Sequence, residues 1–168
     1  MAFDTFLKFT GGNTVVGEST ATGHVGEIEI FSFSWGASNP TTVSSGSGGL
    51  SGGKVSISSF NVMKKTELSS CNLFAACCAG QHFSEALVSM RKATGVSGGQ
   101  AEFLTYTFTD VMVESIQWSG SSGGDDTPTE SLSIAFASVA IAYSTQDEAT
   151  GAMSPKGTAS WDQTKVAK

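Results

Sequence analysis

The residue whose neighbours most resemble those of a nucleophile is Ser51. Gly49-Leu50-Ser51-Gly52-Gly53 satisfies G-x-S-x-G, the turn that lifts a serine hydroxyl between a strand and a helix. That chemistry also needs a helix directly after the turn and a downstream acid and histidine. Here a Gly/Ser run precedes Ser51, a strand-like segment follows it, and the only later histidine is His82. Gly48 to Lys54 has the G-x-x-x-x-G-K spacing of a phosphate-cradling loop, but Val55 stands where Ser or Thr must hold Mg²⁺. Lys54 also opens a strand where such a loop would open a helix.

The other reactive side chains are just as poorly matched. Cys71 and Cys78 lie seven apart on one face of a helical segment, with His82 four beyond. Zinc sites favour closer cysteine pairs plus two more ligands, and the remaining histidine, His24, is distant. Small cysteines that let the helix sit close to a sheet account for them more simply. Cys71, Cys77 and Cys78 are too few and too clustered for a disulfide framework, and suit synthesis in a reducing compartment. Glu27 and Glu29 fall on one strand face, whereas a glycosidase pair faces across a cleft from separate elements. Asp125-Asp126 reads as turn chemistry without the extra carboxylates of a cation site. No nucleophile, base and orienting group come together, and no cofactor or metal is expected.

The elements that carry these residues are mostly strands. Phe3, Thr5, Leu7 and Phe9 alternate on one face, and further period-two segments run over about 27–36, 54–64, 85–92, 102–119 and 130–143. Four of them change phase midway. Ile28 and Ile30 give way to Phe31, Phe33 and Trp35, and Val55 and Ile57 to Phe60 and Val62. Leu104, Tyr106 and Phe108 alternate until Asp110 and Val111 break the pattern, and Leu132, Ile134 and Phe136 hand over to Val139, Ile141 and Tyr143. A phase slip moves the apolar set to the other face, as a bulge or sharp bend does. A neighbour that buries both faces at the switch would produce the same pattern. The expectation is a mainly β, single-domain β-barrel of bent antiparallel strands over 1–168. One short helix is expected at about 69–79, with an N-cap from Thr66, Ser69 or Ser70 and Gly80 as its left-handed C-cap. A Gly/Ser loop is expected over 37–53, a hairpin turn at Gly98-Gly99, and a polar tail over 146–168.

Composition narrows the function classes. Only 14% of the 168 residues are charged, against roughly a quarter in typical soluble domains. A polar but thinly charged surface has little self-repulsion and tolerates contact with copies of itself; it suits a Ser/Thr-coated monomer equally. The net charge of −6 lacks the basic footprint of a nucleic-acid binder. No apolar run is long enough for membrane insertion. "MAFDTFLKFTGG" reads as a strand, without the regions of a signal peptide.

Read in order, "MAFDTFLKF", Gly17-Glu18-Ser19, His24, "EIEI" and "FSFSWG" resemble the opening of Hcp, the tube protein of bacterial type VI secretion systems. "GKVSISSFNVMKKTELSSCNLFAACCAGQHF", "ALVSMRKATG", "EFLTYTFTDVMVESI", "GGDDTPTESLSIAF" and "VAIAYSTQ" carry the likeness through almost the whole chain. The resemblance implies a compact barrel with one helix that forms six-membered rings. It also implies that rings stack into a hollow tube, hold effectors inside, meet sheath and spike components, and leave the bacterial cytoplasm without a cleaved signal.

Within that frame the strand 31–35 should turn Phe31, Phe33 and Trp35 inward, leaving Ser32 and Ser34 to face the bore, solvent or a neighbour. Thr42, Val43, Ser44, Leu50 and Ser51 are the candidate ring-stacking loop, and Asp125 and Asp126 a second interface loop. Other readings stand beside this one: a small hydrolase using Ser51 or Glu27/Glu29, a ligand-binding barrel or lectin-like sandwich, and a phage tail tube subunit.

Overall fold

The computed structural model describes residues 3–44, 49–95, 99–124 and 126–165. Alternating apolar and hydroxyl residues hold most of this chain extended. The strands are β1 (Asp4–Thr10), β2 (Ile28–Glu29), β3 (Ser32–Ser34), β4 (Ala37–Ser38), β5 (Thr41–Ser44) and β6 (Gly49–Gly52). They continue with β7 (Ser56–Ile57), β8 (Phe60–Lys65), β9 (His82–Ala93), β10 (Gln100–Ser119), β11 (Thr129–Gln146) and β12 (Met153–Asp162). One helix, α1 (Ser69–Ala79), separates β8 from β9.

Eight of these strands form one antiparallel sheet, ordered β2-β1-β9-β10-β11-β8-β3, with β12 added on β11. The N-terminal half of β11 pairs with β8, and its C-terminal half, from Ser138 on, pairs with β12. The sheet curls, and a corner in the chain brings its two ends together. Ile28 pairs with Leu7 of β1, and Ile30 N donates to Thr5 O at 3.1 Å. One residue later Phe31 N donates to Met63 O of β8 at 2.8 Å, and Ser32 pairs with Met63. The phase slip expected in 27–36 is therefore a change of partner at a corner. It also overturns one expectation: Phe31 sits on the corner and is 59% exposed, while Phe33 and Trp35 turn inward against the core.

The break expected at Asp110 is a backbone kink. Asp110 has φ +53, and the ladders on both sides skip from Thr109 to Val111. Bulges follow at Glu102/Leu104, Val113/Ser115 and Tyr143/Ser144. They bend the long strands around a core that includes Leu7, Phe60, Val88, Phe108, Leu132 and Ile134.

The helix occupies the expected residues and ends on Gly80 at φ +61. Its N-terminus differs from expectation. The N-cap is Leu68, with no side-chain cap of its own; the Leu68 N–H donates instead to Glu18 Oε1 at 3.0 Å, from a distant part of the chain. Glu18 N in turn donates to Glu67 Oε2 at 2.7 Å.

Two segments read as irregular contain strands. Within 37–53, β5 and β6 form a hairpin (Val43 opposite Leu50, Thr41 opposite Gly52) on a base where Ala37 of β4 faces Ile57 of β7. Within 146–168, β12 extends the sheet, entered through a turn in which Asp147 Oδ1 accepts from Ala149 N and from Thr150 N and Oγ1. Those bonds, from Thr150 first and then Ala149, hold the Asp147 carboxyl below its ordinary pKa. The expected turn at Gly98-Gly99 lies mostly outside the described residues; beside it Thr94 N donates to Gly99 O at 2.9 Å.

Candidate functional site

Ser32 and Ser34 are both exposed, on an end strand of the sheet. Cross-strand pairing sets Ser32 in a row with Met63, Ser131 and Gln117, and Ser34 in a row with Asn61 and Ser133. At the bulge in β10, Glu114 Oε2 accepts from Ser59 Oγ at 2.6 Å and Ser133 Oγ at 3.1 Å. The two serines thus belong to a wall four strands wide of mostly hydroxyl and amide groups, with the apolar Met63 and the Glu114 carboxylate in it. Such a wall offers many weak hydrogen bonds and no deep apolar pocket.

The hairpin places the proposed stacking residues on two faces. Thr42 Oγ1 and Ser51 Oγ meet at 3.4 Å on one, and on the other Val43 and Leu50 stand opposite each other, 80% and 71% exposed. Ser44 pairs with Gly49 through the backbone. Gly53 N donates to Pro40 O at 2.7 Å, closing the ladder at its foot. Asp126 is exposed beside a groove of about 380 Å³ that Glu18, Glu29, Phe31 and Lys65 also line. Asp125 lies outside the described residues.

Among the described residues no acid or histidine meets Ser51, whose hydroxyl lies against Thr42 Oγ1. His24 is engaged elsewhere: Nδ1 meets Glu27 Oε2 at 2.8 Å, Nε2 meets Glu102 Oε1 at 3.3 Å, and the ring stacks on Phe6 at 4.3 Å. The Arg91 guanidinium lies 4.7 Å from the centre of the same Phe6 ring. His82 Nδ1 meets Asp110 Oδ1 at 3.0 Å, both well exposed. Glu27 therefore serves His24 while Glu29 points into the surface grooves, so the two do not act as a pair. Among the described residues no group of three or more His, Cys, Asp and Glu is placed to hold a metal. The cysteines are free thiols; Cys71 and Cys78 are exposed and only Cys77 packs against the core, so close packing does not explain the first two.

The sequence reading passed over the most buried charges in the protein. Lys64 Nζ lies 2.8 Å from Glu130 Oε2, with neither side chain exposed. Nζ also donates to Ser70 Oγ at 3.1 Å and Lys65 O at 3.0 Å, and Trp118 Nε1 donates to Glu130 Oε1 at 2.6 Å. Burial alone would push the Glu130 carboxyl up; hydrogen bonds from Lys64 and Ser70, the Lys64 charge and the Trp118 indole outweigh it and hold the carboxyl below its ordinary value. The network ties β8, β10 and β11 to the start of α1. A signal existed: Lys64 follows Phe60 and Val62 in phase, and Glu130 precedes Leu132 and Ile134 in phase.

The described residues form a curled half-barrel with one helix and an exposed hairpin. Residues 6–143 match the family model described as "Type VI secretion system effector, Hcp". The chain belongs to the Hcp family. It is 38% identical over 146 residues to protein hcp1 of Pseudomonas aeruginosa, covering 87% of this chain and 86% of that one. A solved structure of a type six secretion system protein superposes with TM-score 0.88 at 35% identity, over 98% of both chains. The crystal structure of Hcp1 from Salmonella typhimurium superposes with TM-score 0.76 at 32% identity, over 99% of both. As an Hcp protein, the chain is a component of type VI secretion. Among its described residues no helix is long and apolar enough to cross a membrane.

Proposed function

We propose that this protein is the tube subunit of a type VI secretion system: it assembles into hexameric rings, the rings stack into a hollow tube, and the bore carries effectors. The observation that carries the reading is the likeness to a solved type six secretion system protein and to Hcp1 from Salmonella typhimurium along 98–99% of the chain. The work is done by assembly, without catalysis and without a cofactor. Other copies of the chain are the first partners, with effectors inside the ring and sheath and spike components around it. The protein is made in the bacterial cytoplasm and leaves through the apparatus without a cleaved signal.

Ser32 and Ser34 are the residues we assign to the bore. Their mostly hydroxyl rows, with Met63 and the Glu114 carboxylate among them, would hold many clients weakly and release them, because binding there gains little burial. Thr42, Val43, Ser44, Leu50 and Ser51 are assigned to ring stacking, and the loop holding Asp125 and Asp126 to a second interface. Negatively stained protein imaged at several concentrations tests this reading. Rings that lengthen into tubes support it, and removal of 42–52 should leave rings that no longer lengthen. Tubes that grow unimpaired after that removal would overturn the stacking role.

A further inference from the structure

The wall that holds Ser32 and Ser34 carries one carboxylate in its middle. Glu114 is the extra residue of the bulge in β10, where the ladder with β11 passes from Val113 to Ser115. Its side chain is exposed and stands over the row of Ser34, Asn61 and Ser133. Apart from the buried Lys64–Glu130 pair, the nearest other charges on these strands lie toward the ends of the wall. Lys65 opposes Thr129, two rows away, with its Nζ 5.8 Å from the centre of the Phe31 ring. Asp110, four residues before Glu114 on β10, is paired with His82. Between them the wall carries only Ser, Asn, Gln, Ala and Met side chains.

The carboxylate is held in place, yet half of it is open. Ser59 Oγ and Ser133 Oγ both donate to Oε2, at 2.6 and 3.1 Å, and among the described residues no hydrogen bond or ion pair engages Oε1. A side chain already fixed by two neutral hydroxyls has little rotamer freedom left to lose when a ligand arrives. Those hydroxyls also leave its charge without an opposite one. A lone anion in a wall of neutral groups attracts cations and repels anions. In a closed ring every subunit repeats it at one level of the bore, and a ring of like charges selects by sign.

We propose that Glu114 sets the charge class of the cargo: its repeated carboxylate favours protein clients that present lysine or arginine to the wall and turns acidic ones away. The proposal rests on the assignment of Ser32 and Ser34 to the bore and adds which clients that bore takes. The hydroxyl rows supply weak contacts to any client, and the carboxylate supplies the discrimination. Each exposed ion pair is worth a factor of about 2–5 in affinity, so a client that meets about two of them gains about 10-fold. A gain of that size still permits release, and salt screens it.

The test uses the full chain and two fluorescent peptides, one of alternating lysine and serine and one of alternating glutamate and serine. Binding is read by anisotropy in low salt, and the mass of each protein by light scattering. Wild type is compared with Glu114→Gln, with Glu114→Lys, and with Glu148→Gln, which removes the same charge from an exposed turn after β11. The lysine peptide should bind Glu114→Gln about 10-fold more weakly than wild type, and Glu148→Gln as tightly as wild type. Glu114→Lys should prefer the glutamate peptide. Equal weakening by the two glutamine variants would mean that the peptide reads net charge alone, and unchanged binding to Glu114→Gln that this carboxylate selects nothing; either result overturns the proposal. If light scattering then still shows rings, the bore reading survives and only its charge preference is lost. A protein that stays a single subunit removes both.

Discussion

Lys64 and Glu130 stand directly opposite each other on neighbouring strands and form an ion pair that solvent does not reach. Each is the one charge in an otherwise apolar phase of its strand; Lys64 donates to Ser70 of α1, and Glu130 accepts from Trp118 of β10. Such a pair fixes register and docks the helix without adding much net stability, because desolvation offsets attraction. Removing one partner leaves a buried, uncompensated charge. Lys64→Met should cost about 3–5 kcal/mol, while Lys64→Met with Glu130→Leu should recover most of that loss. Denaturant midpoints of the two variants decide it. Equal losses in the single and the double variant would show that the pair is not coupled.

The same carboxyl sets a pH dependence. Glu130 titrates below its ordinary value of 4.5 in the folded chain, so the unfolded chain binds the proton first as pH falls. Its contribution to stability is complete above that ordinary value and is lost as pH falls through the lowered folded one. Thermal melts of the wild type should therefore fall more steeply below pH 4.5 than those of Glu130→Gln. Parallel curves would mean that Glu130 is not held ionised.

Gly17 is where the loop that caps the helix passes closest to another backbone. A Cβ there would run into the Glu27 carbonyl group, and Gly17 N already donates to Gly26 O at 2.8 Å. Gly17→Ala should cost about 1–3 kcal/mol. It should also loosen the Glu18 contact that caps Leu68, read as faster amide exchange in the first turn of α1. Protection equal to the wild type's would contradict the link.

Asp110 holds a left-handed backbone inside a strand, a conformation that Asp tolerates and β-branched residues do not. Asp110→Val should destabilise the protein by about 1–2 kcal/mol. Asp110→Gly should be close to neutral, since its loss is an exposed contact with His82 worth about 0–1 kcal/mol. Unfolding curves that rank Val with Gly would refute the strain.

What could be read from the residues was whatever burial writes into them. The helix was legible because Leu73 and Ala76 face the core and Gly80 closes it. The long strands were legible because one face is buried, and the bend at Asp110 because the alternation stops there. The strand β12 was not. Its residues are mostly exposed, and Pro155 and Lys156 are what an unprotected edge carries; only backbone pairing with β11 makes it a strand. The hairpin was hidden for the same reason, with Val43 and Leu50 as its sole apolar marks. Phe31 was misplaced because alternation continues through a corner where the chain changes partners.

The residues assigned to the bore and to stacking are proposals that grew from the resemblance, and the fold explains why the residues alone could not have singled them out. Ser32 and Ser34 carry no special chemistry, and their meaning depends on which face a second subunit covers. Similarly, an apolar groove between the hairpin base and the β11–β12 pair draws on residues as far apart as Trp35 and Trp161 and needs β12 in place to exist.

All of these roles depend on copies of the chain joining into a closed ring. Light scattering of the purified protein over a wide concentration range measures that most directly. The account predicts the mass of a hexamer, independent of concentration until stacking raises it in whole-ring steps. A chain that keeps the mass of a single subunit at the highest concentration would contradict it.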